Sequence, residues 1–248
     1  MHGSAACEQL RRLELVEAER RASLAPRRLG RLAVMVVSTS AALKILCLHG
    51  KGGCADSFRP ALAPLTEALG AAVELDYLDA PHSLGAPTSR AWWLLPPGER
   101  SFTAPAYEGD DDAFRAVADA WAERGPYDGV LGFSQGAMLA AIVTARGVCG
   151  KGPLPRFALL FGAATPKPHE ALLASLGEAG CSVPTLHSVS AADRMNPAEM
   201  GEWVASCFAP SAKLLYHDAG HVVPQDAASV EAVRVFVAAQ NGGGQGEG

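Results

Sequence analysis

The sequence has six cysteines, Cys7, Cys47, Cys54, Cys149, Cys181 and Cys207, but no CxxC pair and no Cys/His group at zinc-like intervals. No metal site is therefore expected, and the thiols read as reduced, mostly buried small hydrophobes of a reducing compartment. Long apolar runs are also missing. The strongest, at 45–48 and 137–143, fall far short of the ~20 residues that span a bilayer, so no stable membrane insertion is expected. Positive charge is in deficit, with 21 Lys and Arg against 26 Asp and Glu and a formal net charge of -5. That argues against a nucleic-acid partner, which needs clustered cations. No internal repeat is visible. The Gly-Lys-Gly-Gly at 50–53 fits neither the GxxxxGK[ST] frame nor GxGxxG, so nucleotide binding is not expected there.

What is present suits one sizeable core: 248 residues, 49% hydrophobic and 19% charged. The ends differ from the middle. Residues 1–42 hold seven arginines and four glutamates, with no lysine or aspartate. The stretch 8–24 reads as an amphipathic helix. The stretch 25–42 is Arg-rich, lacks acidic residues and ends in small and hydroxyl residues, a composition like that of an organellar transit peptide. The glutamates count against that reading, and the alternatives are a disordered extension or a start at Met35. The expected location is cytoplasmic, or plastid or mitochondrial if 1–42 is a transit peptide. The Gly-rich tail 241–248 reads as flexible.

Residues 43–240 form the expected catalytic domain. "LKILCLHG" (43–50) is a nearly continuous apolar run, suited to a strand buried on both faces. A helix is expected over 56–70, with Asp56 or Ser57 as N-cap and Gly70 as stop. A strand over 71–81 follows, then a Pro/Gly-rich stretch, 82–108, holding Trp92, Trp93, Phe102 and Tyr107. Helices are expected at 109–125, 135–146, 168–179, 197–208 and 226–239, and strands at 127–133, 156–163, 184–190 and 212–218. Alternating strands and helices predict an α/β fold, a mostly parallel central sheet with helices on both faces.

The chemistry concentrates in "YDGVLGFSQGAMLAAIV" (127–143). Here Gly132-Phe133-Ser134-Gln135-Gly136 matches G-x-S-x-G between a strand pattern and a helix pattern. A serine there sits on a tight, strained turn, its hydroxyl raised above the sheet and the next N–H, that of Gln135, aimed at a developing oxyanion. The bland reading is a helix N-cap. A serine hydroxyl needs a base, and in this arrangement the acid and then the histidine follow it in the chain. His221, in the Gly-containing loop "HDAGHVVP" (217–224), is the best-placed base, and His217 the runner-up. Asp193, in the turn closing "PTLHSVSAADRMNP" (184–197), is the candidate acid. Its rival Asp218 lies too near His221 in sequence to face it without folding back, and a plain Asx turn is the bland reading of Asp193. The second oxyanion donor is expected from the loop after the first strand, with Lys51 N–H first in line and His49 organising the loop.

Several separated pieces together, "LCLHG", Trp92-Trp93, "GPYDGVLGFSQGAMLAA", "PTLHSVSAADRMNP" and "GHVVP", resemble the eukaryotic FSH-type family of serine hydrolases over residues 43–240. The resemblance implies an α/β-hydrolase fold, a Ser134-Asp193-His221 triad, and cofactor-free hydrolysis of small-molecule carboxylic esters. An acyl-thioesterase on the same triad and a non-catalytic ligand-binding relative are the alternatives. The family commonly has G-D-x-D before the acid, where this sequence reads Ser190-Ala191-Ala192-Asp193. It often has a bulkier aromatic after His-Gly, where this sequence has Lys51. His49, Trp92 and Trp93 are candidates for the substrate pocket, with a core role for the tryptophans as the alternative. Residues 96–102 are a candidate lid. No basic cluster is apparent near it, which suggests an uncharged or apolar acyl group.

Overall fold

The structure is a computed structural model that describes residues 41–241. The amphipathic stretch 8–24, the transit-like stretch up to residue 40 and the tail 242–248 lie outside the described residues.

Six parallel strands form the central sheet: β1 (Leu43–Leu48), β2 (Val73–Leu78), β5 (Gly129–Phe133), β6 (Phe157–Phe161), β7 (Cys181–Val189) and β8 (Pro210–Tyr216). Their spatial order is β2-β1-β5-β6-β7-β8. A separate antiparallel hairpin joins β3 (His82–Ala86) to β4 (Ser89–Ala91). The helices are α1 (Ala55–Phe58), α2 (Ala63–Leu69), α3 (Asp110–Arg124), α4 (Gln135–Val148), α5 (Glu170–Ala179), α6 (Ala198–Ser206) and α7 (Ala227–Asn241).

Strand periodicity divides the core into two layers. Leu46, Leu48, Val130, Ala158 and Leu160 point to the face covered by α3, α4, α5 and α6. Ile45, Cys47, Leu131, Leu159 and Phe161 point to the face covered by α1, α2 and α7. Both faces of the central strands are therefore apolar, which is why their sequences read as continuous hydrophobic runs. The chain leaves β1 for β2 on one side, and the rest of the sheet grows from β5 on the other. The loops after β1 and β5 thus flank a crevice at the strands' C-terminal ends, where α/β sheets commonly bind ligands.

The structure revises some local expectations. The helix expected over 56–70 is broken at Pro60 into α1, a 3₁₀ turn and α2. Neither Asp56 nor Ser57 caps it. The cap is Cys54, whose Sγ accepts the Ser57 N–H at 3.4 Å. Gly70 stops α2 as expected, with φ 53°. Strand β7 begins before 184. Cys47, Cys54, Cys181 and Cys207 are free and buried, whereas Cys149 is free and exposed. Among the described residues no helix is long and apolar enough to cross a membrane, and no group of three or more His, Cys, Asp or Glu is arranged to hold a metal ion.

Candidate active site

Ser134 stands where β5 becomes α4, with φ 54° and ψ −118°. It is the only non-glycine residue with positive φ among the described residues. Such a conformation costs of order 1–3 kcal/mol and persists only where the surroundings enforce it. Here the Ser134 N–H donates to Phe161 O at 2.9 Å, and the Ser134 carbonyl accepts from the N–H groups of Ala137 and Met138 at 3.0 and 3.1 Å. The motif glycines allow the close approach. A Cβ on Gly132 would lie 2.2 Å from Gly136 O, and one on Gly136 would lie 2.1 Å from Leu48 O.

The Ser134 hydroxyl lies 2.9 Å from His221 Nε2, and His221 Nδ1 lies 2.6 Å from Asp193 Oδ2. The side chain of Asp193 is 3% exposed, that of His221 17%. A carboxylate at Nδ1 selects the tautomer that carries its proton there, leaving Nε2 free to accept from the serine. The other Asp193 oxygen, Oδ1, accepts from the N–H groups of Met195 and Asn196 at 2.8 and 2.9 Å, so the acid also makes the Asx-type turn of its bland reading. The His221 ring packs against Phe133, with centroids 5.0 Å apart. His217 does not reach the serine: its Nδ1 accepts the Ala219 N–H at 3.3 Å.

The turn before Asp193 lacks the family's first acid, and Ser190 holds it instead. Its Oγ accepts from the N–H groups of Ala192 and Gly220, each at 3.2 Å, tying the acid's turn to the histidine's loop. Asn196 Nδ2 donates to Gly162 O at 2.7 Å, securing the same turn to the end of β6.

Lys51 and Gln135 border a cleft of about 250 Å³ with Ser134 and His221. Gln135 is the first residue of α4, so its N–H has no partner within the helix. The Lys51 N–H meets no acceptor among the described residues. His49, Trp92 and Trp93, expected in the substrate pocket, are not in its wall: all three are buried. The reason is a hydrogen-bonded network beneath the cleft. The Ala80 N–H donates to His49 Nε2 at 3.0 Å, leaving the ring's proton on Nδ1, 2.8 Å from Gly50 O. Desolvation holds the His49 pKa below its ordinary value, so it stays neutral. Trp92 Nε1 donates to His49 O at 2.7 Å. Trp93 stacks on Tyr107 with centroids 4.4 Å apart.

Gln135, 2% exposed, completes this network with its side chain. Its Oε1 accepts the Trp92 N–H at 2.9 Å, and its Nε2 donates to Trp93 O at 3.0 Å. The hairpin supports the other side: the Gly52 N–H donates to Arg90 O at 2.8 Å and the Arg90 N–H to Gly53 O at 3.0 Å. The segment 82–108 is thus a buttress as well as a wall. Leu95, Arg100, Ser101 and Phe102 line the cleft. Ser101 is pinned there, its carbonyl accepting from Tyr107 Oη at 2.5 Å and from the Lys167 N–H at 3.1 Å. The sequence reading missed Arg100 and Met195 in the cleft wall, the Gln135 side chain and Ser190. For Gln135 the signal was its place beside the elbow serine.

Comparison with known proteins gives the chain's relatives. The chain is 34% identical over 218 residues to human Esterase OVCA2, a match covering 79% of this chain and 95% of the relative. It is 30% identical to Esterase C25G4.2 of Caenorhabditis elegans, covering 82% and 96%. The crystal structure of esterase PE8 superposes with a TM-score of 0.64 at 24% identity, covering 82% of this chain and 94% of that one. The structure of Zea mays acyl-protein thioesterase 2 gives 0.59 at 22%, covering 83% and 96%. These structural likenesses establish an α/β-hydrolase fold. The family model for serine hydrolase (FSH1) matches residues 38–233, and the chain belongs to that family.

Proposed function

We propose that the protein is a serine esterase that cleaves carboxylic esters of small molecules through Ser134, His221 and Asp193. The observation that carries the reading is the continuous pair of contacts from Ser134 Oγ to His221 Nε2 and from His221 Nδ1 to Asp193 Oδ2. His221 takes the serine proton as Ser134 Oγ attacks the ester carbonyl. Asp193 holds the imidazole in the required tautomer and stabilises the imidazolium. The N–H groups of Gln135 and Lys51 meet the oxyanion, each such donor contributing about 3–4 kcal/mol to the transition state. The tetrahedral intermediate collapses as His221 passes the proton to the leaving oxygen. Water, deprotonated by His221, then releases the acid from the acyl-enzyme. A thioester differs only in its leaving atom, and the same residues serve it.

The test is a fluorophosphonate probe with peptide mapping, alongside ester turnover by Ser134→Ala. The expected outcome is an adduct on Ser134 and loss of turnover in a variant that still folds. Wild-type turnover by Ser134→Ala sinks the assignment.

A further inference from the structure

Two clefts meet at the Phe133–His221 ring pair. The first, about 250 Å³, is lined by Ser134, Gln135 and Lys51 and also by Arg100 and Met195. The second, about 430 Å³, is walled by Ala61, Val222, Val223 and Gln225 and touches neither the serine nor the two N–H groups. The reaction itself tells them apart. The carbonyl oxygen has to face the N–H groups of Gln135 and Lys51, so the acyl chain belongs in the first cleft. The leaving oxygen takes its proton from His221 Nε2 and has to lie within about 3 Å of it. The group behind that oxygen then runs past His221 into the second cleft.

The clefts differ in charge. In the acyl cleft, Lys51 from the loop after β1 and Arg100 from the loop before α3 converge from separate parts of the chain. Neither has a carboxylate within ion-pair distance among the described residues. The Arg100 guanidinium donates only weakly, to Met195 Sδ at 3.9 Å. Glu99 stands on the same wall, but its carboxylate accepts the Thr103 hydroxyl at 2.5 Å. The cleft keeps one surplus positive charge. Among the residues lining the second cleft there is no Lys, Arg or Glu, and the one carboxylate is that of Asp226, which accepts the Ser229 N–H at 2.9 Å.

We infer that the enzyme favours esters whose acyl chain ends in a carboxylate and whose alcohol is apolar: mono-esters of dicarboxylic acids. This rests on the triad reading above and replaces the expectation of an uncharged acyl group. Arg100 and Lys51 act as specificity residues for the distal carboxylate. The alcohol's apolar body sits on Ala61, Phe133, Val222 and Val223.

The test compares three esters on the full chain, with released alcohol measured by chromatography. Monobenzyl adipate carries the carboxylate on the acyl side, benzyl hexanoate carries none, and 4-carboxybenzyl hexanoate carries it on the alcohol side. The expected result is kcat/KM at least tenfold higher for monobenzyl adipate than for 4-carboxybenzyl hexanoate. An exposed ion pair is worth up to about fivefold. Arg100→Gln should therefore lower the adipate-to-hexanoate ratio about fivefold, and raised salt should shrink the wild-type ratio. Arg100 is exposed, so the variant should fold, and a urea titration checks this. Any smaller or reversed preference between the two carboxylates, or a ratio that moves less than twofold in Arg100→Gln, overturns the inference while hydrolysis persists. Absence of both hydrolysis and fluorophosphonate labelling at Ser134 overturns the triad reading itself, and this inference with it.

Discussion

Replacing Gln135 separates its backbone from its side chain. Gln135→Leu keeps the N–H proposed to meet the oxyanion but removes both side-chain bonds to the loop at 92–93. The Trp92 N–H and the Trp93 carbonyl are then left buried without their partners. Each such orphan costs about 1–3 kcal/mol, so the variant should lose about 2–6 kcal/mol. That is a large share of the 5–15 kcal/mol that holds a typical domain together. Gln135→Glu refines the test. One carboxylate oxygen still accepts from Trp92, but the other faces the Trp93 carbonyl and bonds to it only when protonated. Burial and that bond both favour the neutral acid, so its folded pKa should rise above the unfolded value near 4.3. The Glu variant's stability is then best below the unfolded pKa and declines as pH rises through the folded one. Urea titrations of wild type and both variants at pH 4.5 and 7.5 read this directly. The deficit of Gln135→Glu should shrink at pH 4.5, whereas that of Gln135→Leu should not. Gln135→Leu within 0.5 kcal/mol of wild type, a value about the size of an ordinary surface change, would refute the buttress. So would a Gln135→Glu deficit that ignores pH.

Three further outcomes follow from the structure. Gly136→Ala puts a methyl 2.1 Å from Leu48 O and should cost at least 1–3 kcal/mol with a large loss of turnover, checked by thermal melting and ester assay. Asp193→Asn should lower kcat on the order of ten-thousand-fold, because an amide donor turned to Nδ1 selects the wrong tautomer; turnover within tenfold of wild type would remove Asp193 from the triad. His187, buried with Nδ1 unpaired, has its pKa pushed down to about 3 by desolvation. The unfolded chain protonates it near 6.5 and the folded chain does not. Stability should therefore be unaffected by this group above pH 6.5 and fall by up to about 1.4 kcal/mol per pH unit as pH drops from there toward 3. His187→Leu should flatten that slope in urea titrations.

The parts legible in the sequence were those encoded by local pattern. A strand run, G-x-S-x-G and a small apolar helix are contiguous, so the elbow at Ser134 shows before any fold is known. The β-α alternation sufficed for the sheet because both faces of β1, β5 and β6 are apolar. The hairpin β3–β4 did not show, because "HSLGA" and "SRA" are short and carry no alternation, and the first is mostly exposed. Cys54 was missed as a cap because sulfur is a weak acceptor and seldom fills that role. Trp92 and Trp93 drew attention as pocket residues because aromatic pairs in long loops suit either a cleft or a core. Their burial depends on Gln135, His49 and Tyr107, none of them a local neighbour. The meeting of Lys51 and Arg100 is likewise a product of tertiary structure.

Departures from the family pattern were legible as differences but not as consequences. The missing acid at Ala191 put the geometry of the Asp193 turn in question, since an extra carboxylate often organises such a turn. What the turn requires is an acceptor for the N–H groups that close it, and a hydroxyl supplies that without charge. Ser190 Oγ receives the Ala192 N–H on its own turn and the Gly220 N–H on the histidine's loop. The link spans the two segments whose separation sets the Asp193–His221 distance. Because the bridging group is neutral, it adds no second negative charge beside Asp193.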